Sequence, residues 1–148
     1  MKVCTVGKEE TQTLAQELLK KIGNRVSDSG LATVVGLRGD LGVGKTTLAQ
    51  GIARELGVTE HVTSPTFILE RIYKLGDQVA KWERLVHIDA YRLDSESELK
   101  HLGWQEIVAD PANLILIEWP ERVEGSLPKD IIYVDCKHID ELRREISW

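Results

Sequence analysis

The sequence has few of the residues that build disulfide frameworks, metal clusters or membrane spans. Its two cysteines, Cys4 and Cys136, stand apart from each other and from any histidine at metal-ligand spacing. The first residues lack the apolar stretch of a signal peptide, and no later run is long enough to cross a bilayer. We therefore expect free thiols in a reducing cytosol, and a soluble, cytoplasmic protein that does not enter membranes.

The chain also has fewer basic than acidic residues. The chain of 148 residues carries a formal net charge of −5 at pH 7, whereas affinity for a phosphate backbone comes from clustered Lys and Arg. This argues against direct binding of DNA and leaves any nucleic acid to a partner protein. The length suits one domain with a hydrophobic core, so residues 1–148 are interpreted as a single domain.

Signatures of three other enzyme classes are missing as well. No Asn-Lys-x-Asp or Thr-Lys-x-Asp element is present to read guanine, which argues against a GTPase. No Gly-x-Ser-x-Gly elbow supports acyl transfer. The four histidines also lack the i, i+4 or short spacings of a zinc site; they are His61, His87, His101 and His138.

What is present is an alternation of helical and strand patterns. Apolar residues at helical spacing predict helices over residues 9–22 and 45–56. Two nearly continuous apolar runs, 31–37 and 113–118, predict strands that are buried on both faces. This alternation is typical of the α/β class.

Shorter patterns fill the rest of the chain. Residues 67–73 and 85–88 predict an inserted β-hairpin. Ser95 followed by Glu98 is a capping-box pattern that predicts a short helix. Two more strands are expected, over 131–134 and in a C-terminal piece that ends at Ser147.

One motif lies between the strand 31–37 and the helix 45–56. Residues 39–46 read Gly-Asp-Leu-Gly-Val-Gly-Lys-Thr, a Walker A pattern whose glycines let backbone N–H groups surround phosphates at a helix N-terminus. Lys45 is expected to reach the β- and γ-phosphates, and the Thr46 hydroxyl to complete the shell of a magnesium ion. The strand and helix on either side disfavour an accidental match in a turn. The motif predicts ATP and Mg²⁺ as cofactors, no other metal, and a P-loop NTPase fold with a mainly parallel sheet flanked by helices.

A P-loop enzyme also needs an acidic residue near the magnesium, at the carboxyl end of a buried strand. Glu118 ends the run 113–118, and Asp89 ends the weaker strand 85–88. Each has an alternative as a strand-end carboxylate in water. Our interpretation makes Glu118 the magnesium-side carboxylate, usually through water, and Asp89 a second acid that positions metal or attacking water.

Other residues near these motifs have open roles. Thr66 lies about twenty residues past Thr46, where many P-loop proteins carry a switch segment, but its Ser-Pro neighbours are also an ordinary turn starter. Trp119 is either a ring at the rim of the site or a core aromatic. Arg92 and Arg122 either approach phosphate or lie in solvent.

Taken together, these segments resemble the TsaE (YjeE) family, the small ATPases of bacterial tRNA threonylcarbamoyladenosine synthesis. Five blocks in the family's order carry the resemblance over most of the chain. They are 37–47 (LRGDLGVGKTT), 62–67 (VTSPTF), 87–93 (HIDAYRL), Glu98-Leu99 with Leu102-Gly103, and 117–121 (IEWPE).

The resemblance implies a P-loop α/β fold, magnesium held by Thr46 and Glu118, and an important acid at Asp89. It favours the switch interpretation of Thr66, which joins Lys45 and Asp89 as a catalytic residue. It also relates the segment around Thr11 to the nucleotide base. With the motif, the expected nucleotide-binding residues are Thr11, Asp40, Leu41, Gly42, Val43, Gly44, Lys45, Thr46 and Thr47.

The resemblance also implies partners. TsaE works with TsaD and TsaB, which build and transfer the threonylcarbamoyl group onto adenosine beside the anticodon, and it supplies ATP hydrolysis. The implied activity is a magnesium-dependent ATPase that is weak alone, depends on its partners and meets tRNA only through the complex. The acidic net charge agrees with that division of labour. Residues 76–84 form a longer and more charged loop than is usual in the family, and the chain ends soon after the last expected strand, so partner contacts can differ there.

Two other functions stay open at this point. A small-molecule kinase would use the same loop to hand the γ-phosphoryl group to a metabolite hydroxyl. It would need an arginine-bearing lid, and the region after Asp89 offers only Arg92 before it becomes acidic. A nucleotide-gated binding module with negligible turnover is the third possibility, and phosphate release with and without partners distinguishes it.

Overall fold

The fold is taken from a computed structural model that describes residues 1–25, 29–60, 62, 69–76 and 81–148. Helices and strands alternate along the chain, as the sequence predicts. In chain order they are β1 (Lys2–Val6), α1 (Gly7–Gly23), β2 (Thr33–Arg38), α2 (Lys45–Glu55), β3 (Glu70–Lys74), β4 (Arg84–Asp89), α3 (Glu96–His101), α4 (Trp104–Ala109), β5 (Asn113–Glu118), a 3₁₀ helix (Pro120–Ser126), β6 (Ile132–His138) and β7 (Arg143–Ser147).

All seven strands join one mixed sheet in the order β1-β7-β6-β2-β5-β4-β3. The four central strands, β6, β2, β5 and β4, pair in parallel, whereas β1, β7 and β3 add antiparallel edges. The α/β prediction with an inserted hairpin is therefore confirmed, since β3 and β4 pair in antiparallel register. The expectation of a mainly parallel sheet is wrong, because only three of the six strand pairings among the described residues are parallel and the antiparallel strands lie at both edges.

The sheet buries both faces against helices, which is why its central strands are continuously apolar. On one face, α1 and α2 pack Leu18 and Ile52 against β2 and β5 in one hydrophobic cluster. On the other face, Leu99 of α3 and Trp104 of α4 pack with Val123 of the 3₁₀ helix in a second cluster. Among the described residues, no helix combines the length and the apolarity that a membrane span requires.

Several local details differ from the sequence-based expectations. The strand β1 and the helix α4 are additional elements of only five and six residues, too short to give a clear periodic signal. Ser95 occupies the N-cap position of α3, but within the described part of the chain its side chain makes no capping hydrogen bond. Glu98 instead accepts the backbone N–H of Asp94 at 2.9 Å. The hairpin strand expected at 67–73 is described from Glu70 onward, because residues 63–68 lie outside the described part.

The two helices on the first face cross at a glycine. A Cβ atom added to Gly51 of α2 would lie 2.6 Å from the carbonyl oxygen of Gln12 and 3.1 Å from the Cβ of Ala15, both in α1. Real Cβ atoms do not approach backbone oxygens that closely. The absence of a side chain at Gly51 therefore sets the distance between α1 and α2, and with it the position of α2 on the sheet.

Replacing Gly51 by alanine should cost about 1–3 kcal/mol through overpacking, while the higher helix propensity of alanine returns about 1 kcal/mol. We therefore expect a net destabilisation of up to about 2 kcal/mol. The matched control is Gly23→Ala at the end of α1, where an added Cβ meets nothing within 4 Å. Urea denaturation should show a lower midpoint for Gly51→Ala and an equal or higher one for Gly23→Ala. Equal stability of the two variants would contradict the tight crossing.

Candidate functional site

The carboxyl ends of three strands meet at one edge of the sheet. In the parallel register Leu37 of β2 pairs with Glu118 of β5, and Glu118 pairs with Asp89 of β4. Because neighbouring strands share the same pleat, side chains in such a row lie on the same face. Two carboxylates therefore lie side by side, next to the strand that leads into residues 39–44.

The loop at residues 39–44 is held close to the sheet by its first glycine. Gly39 has φ +142°, and a Cβ there would lie 2.4 Å from the carbonyl oxygen of Cys136 in β6. Its neighbour Arg38 makes a two-pronged ion pair with Asp135 of β6, at 2.7 and 2.8 Å. The last glycine, Gly44, has φ +107° and precedes α2. No side chain of the described residues caps this helix N-terminus, so its first N–H groups are available to an anion.

Lys45 is the first residue of α2 and is 95% buried, with a relative exposure of 5%. Its Nζ donates to the backbone carbonyls of Gly39 and, at 2.9 Å, of Asp40, and lies 4.3 Å from the ring centroid of Trp119. Burial lowers the pKa of Lys45, and the charge of Glu118 opposes that effect. The ammonium is thus held over the loop from inside the site.

Glu118 is held from two sides. Its Oε1 accepts the hydroxyl of Thr46 at 3.3 Å, and its Oε2 contacts Nε2 of His87 at 2.8 Å. Both Glu118 and His87 are almost completely buried, with side-chain exposures of 4% and 1%. The carboxylate is therefore fixed in orientation rather than free at a strand end, which removes the water-exposed alternative for Glu118.

Asp89 is also buried, with 5% exposure. Its Oδ1 accepts the backbone N–H of Tyr91 at 3.0 Å, and this turn closes the end of β4. Tyr91 in turn contacts the ring of Trp119, with centroids 5.0 Å apart. The water-exposed alternative for Asp89 is removed as well.

A cavity of about 210 Å³ lies where these elements meet. It is bounded by the glycine loop, the start of α2 and the two strand-end carboxylates. Its lining residues are Leu41, Gly42, Val43, Gly44, Lys45, Thr46, Thr47, Asp89, Glu118 and Trp119.

A second cavity of about 180 Å³ adjoins the first and shares Gly42, Gly44 and Thr47 with it. Its other walls come from the start of α1 and from the turn between β6 and β7. These walls are Gly7, Lys8, Thr11, Glu141, Leu142 and Arg144. We refer to these two cavities, which share part of the glycine loop as a wall, together as the recess.

Comparison with known proteins identifies the group to which this chain is related. Residues 5–146 match the family described as "Threonylcarbamoyl adenosine biosynthesis protein TsaE". This chain belongs to the TsaE family. The tRNA threonylcarbamoyladenosine biosynthesis protein TsaE of Bacillus subtilis is 36% identical over 97% of this chain and 82% of that protein. The protein of the same name from Treponema pallidum is 37% identical over 78% of this chain and 80% of its own length.

A solved structure supports the same relationship at the level of the fold. The crystal structure of YdiB from Bacillus subtilis superposes with a TM-score of 0.73 and 30% identity, covering 99% of this chain and 82% of that one. The recess described above therefore lies in a TsaE-family fold.

Cavity size alone would indicate a different place in this TsaE-family chain. A larger cavity, of about 370 Å³, lies between the C-terminal ends of α1 and α2 and is lined in part by Leu19, Leu56 and Trp82. Its lining residues include neither a residue of the glycine loop nor a strand-end carboxylate. We take the smaller recess as the functional site because charged and hydrogen-bonding groups converge there.

The fold brings some of the residues named in the sequence analysis into the first cavity and places others elsewhere. The first cavity brings together Lys45, Thr46, Asp89 and Glu118, while Asp40 supplies a carbonyl to Lys45. Thr11 lines the second cavity, but its own hydroxyl donates to the carbonyl of Gly7 at 3.1 Å. The candidate switch residue Thr66 lies outside the described residues. Binding of nucleotide or metal by any of these residues stays a prediction.

Some site residues were missed by the sequence analysis or left open. The sequence analysis rejected His87 as a zinc ligand and counted it in the block 87–93, but gave it no role in the site. Its position two residues before Asp89, on the same face of β4, places it beside Glu118. Trp119 meets both of its alternatives in part, since it lines the first cavity and also packs, partly buried, against the second hydrophobic cluster. Arg122 lies 5.5 Å from the ring centroid of Tyr91, and nothing in the sequence signalled that contact.

The thiol of Cys136 lies in the strand next to the glycine loop and gives a chemical test of this packing. Burial raises the pKa of Cys136 to about 12, with Lys45 opposing the shift. At pH 8 only about one Cys136 in ten thousand would then be the reactive thiolate. A thiol reagent should modify the exposed Cys4 and leave Cys136 intact until the protein unfolds.

The matched variant for this measurement is Cys4→Ser. The folded variant should show no fast labelling at pH 8, and one thiol should become reactive in urea. Fast labelling of folded Cys4→Ser would contradict the packing of β6 against the glycine loop.

Proposed function

We propose that this chain is the magnesium-dependent ATPase of tRNA threonylcarbamoyladenosine synthesis and acts with TsaD and TsaB. The observation that carries this proposal is the convergence of the glycine loop, Lys45, Thr46, Asp89 and Glu118 on one cavity in a TsaE-family chain. Each of these groups has a task in phosphoryl transfer. The names of the relatives supply the biosynthetic context.

The phosphates of ATP would lie in the first cavity. The N-terminus of α2, with Gly44 in a left-handed conformation, provides N–H groups and the positive end of a helix dipole. The Lys45 ammonium adds a full positive charge from a site where burial weakens its hydration. Lys45 would bind the β- and γ-phosphates while it stays on the loop carbonyls.

The residues present fit a magnesium ion of the kind that accompanies ATP. Within the described residues no group of three His, Cys, Asp or Glu side chains forms a metal cage. Magnesium does not require one, since it binds through one or two protein oxygens and completes its shell with water and substrate phosphates. The hydroxyl of Thr46 and the carboxylate of Glu118 are such oxygens and lie 3.3 Å apart. When bound, the ion would neutralise charge on the transferring phosphate.

Asp89 would act on the attacking water. Its side chain lines the same cavity as Lys45 and is held by the backbone of Tyr91, so its position does not depend on nucleotide. A carboxylate can accept a hydrogen bond from water and orient it towards the γ-phosphate. We assign Asp89 to the chemical step rather than to nucleotide affinity.

The nucleoside would occupy the second cavity. This cavity shares Gly42, Gly44 and Thr47 with the first, so a molecule whose phosphates lie on the loop extends into it. Leu142 offers an apolar contact for a base. Thr11 would contribute through its position in the wall, because its hydroxyl is already bonded within α1.

The proposal is tested by reconstituting tRNA modification with TsaD, TsaB and the enzyme that supplies the threonylcarbamoyl-adenylate. With this chain present, repeated turnovers and phosphate release are expected, and omission should stop them after the first rounds. Asp89→Asn keeps the volume and removes the charge, so it should bind ATP within about threefold of the unmodified protein and fail to sustain turnover.

The matched control for Asp89→Asn is Asp94→Asn, an exposed position five residues further along the chain. It should support turnover normally, and thermal unfolding should show that both variants are folded. Unchanged multi-turnover modification without this chain would count against the proposed role. Normal turnover by Asp89→Asn would remove Asp89 from the reaction, and phosphate transfer to a small molecule would favour a kinase.

A further inference from the structure

His87 is a buried polar side chain that the proposed reaction does not use directly. It lies in β4, between Leu85 of the core and Asp89 of the site, and its side chain is 1% exposed. In the parallel register it pairs with Leu116 of β5, one pleat below Glu118. The ring therefore lies directly beneath the carboxylate that borders the first cavity.

The ring makes one polar contact and leaves its other nitrogen without one. Nε2 contacts Glu118 Oε2 at 2.8 Å, whereas Nδ1 is buried and has no hydrogen-bond partner among the described residues. A carboxylate can only accept, so the hydrogen of a neutral ring must be on Nε2. Nδ1 then keeps a bare lone pair, which costs less to bury than an unpaired N–H.

Core packing does not explain a histidine at this position. The surrounding cluster consists of side chains such as Leu85 and Leu116, and a leucine would fill similar space without an unpaired nitrogen. Burying a polar group costs free energy unless a hydrogen bond compensates it. Among the residues that the structure describes, the contact with Glu118 is the one hydrogen bond that compensates the burial of His87, so the function of the ring should be sought there.

We propose that His87 is a positioning residue that orients Glu118 for magnesium. Nε2–H holds Oε2 from below, which leaves Oε1 directed at the Thr46 hydroxyl, 3.3 Å away at the cavity floor. Without this bond the carboxylate could rotate and turn Oε1 away from Thr46. Outer-shell hydrogen bonds of this kind typically change metal affinity 10–100-fold when removed.

This inference rests on the proposed function, because it assigns Glu118 to the magnesium side of the nucleotide. It makes a distinct claim, however. Glu118 would supply the oxygen, and His87 would determine where that oxygen lies. His87 would affect nucleotide affinity only when magnesium is present.

The test measures the affinity for a slowly hydrolysed ATP analogue in EDTA and across a magnesium series. His87→Gln places an amide N–H near the position of Nε2, whereas His87→Leu removes the donor. His87→Leu should lose about tenfold or more of the affinity gained from magnesium, with affinity in EDTA within about twofold. His87→Gln should keep that gain within about threefold. The exposed His101 provides the control variant His101→Leu, which should match the unmodified protein.

A double variant shows whether His87 acts on magnesium binding through Glu118 or independently of it. Glu118→Gln should itself remove most of the magnesium gain, and adding His87→Leu to it should change the gain no further. Additive losses would overturn the inference. Nitrogen NMR of the unmodified protein should also show a hydrogen on Nε2 of His87, and an Nε2 without a hydrogen would overturn the inference.

The remaining outcomes separate this inference from the proposed function. Suppose that Glu118→Gln loses the magnesium-dependent gain in affinity. If folded His87→Leu then retains this gain, or if His87→Gln loses as much of it as His87→Leu does, the role of His87 alone would be overturned. No magnesium gain in the unmodified protein would overturn both. If His87→Leu does not fold, His87→Asn replaces it, because the shorter amide cannot reach Glu118. Equal magnesium gains for His87→Gln and His87→Asn would then contradict the inference.

Discussion

The parallel register of β2, β5 and β4 is the constraint on which the site depends. It brings Leu37, Glu118 and Asp89 into one row, so that the two carboxylates lie side by side and the glycine loop leaves the sheet next to them. A slip of one residue would move the carboxylates to the opposite face. The register is fixed by burial, since both faces of these strands are covered by helices. The apolar core thereby determines the geometry of a polar site.

The site concentrates groups that are costly to bury. Lys45, His87, Asp89 and Glu118 are each at most 5% exposed, and such groups are tolerated when they are paired or hydrogen-bonded. In this site backbone carbonyl groups accept hydrogen bonds from Lys45. The Thr46 hydroxyl and the imidazole of His87 both contact the carboxylate of Glu118. A preorganised site of this kind would need little rearrangement as charge develops in the phosphoryl transfer that we propose.

Much of the fold could be predicted because its strongest signals are local. The apolar run 113–118 coincides with β5, and the glycine loop lies where the Walker A pattern places it. The strand β1 was missed because it is a short edge strand with an irregular burial pattern. The helix α4 has only six residues, fewer than two helical turns, and so it lacks a clear period.

The candidate site was predictable to a smaller extent. The carboxylates Glu118 and Asp89 followed from the rule that functional groups lie at the carboxyl ends of parallel strands. The contact between His87 and Glu118 depends on which strands are neighbours and in what register, and no local pattern encodes that. The second cavity joins the start of α1 to the turn between β6 and β7, which are far apart in sequence. The capping box predicted at Ser95 and Glu98 is also not formed as expected. The carboxylate of Glu98 accepts the backbone N–H of Asp94 instead of that of Ser95.

The most direct measurement of the central claim is calorimetric binding of magnesium-ATP to Lys45→Met. Methionine keeps the length and apolar packing of the side chain beside Trp119 and removes only the charge and its hydrogen bonds. The exposed Lys100 in α3 provides the matched variant Lys100→Met. Loss of a charge-assisted contact to phosphate predicts an affinity lower by about tenfold to a hundredfold for Lys45→Met, with Lys100→Met unchanged. Undiminished affinity in folded Lys45→Met would contradict ATP binding at the glycine loop.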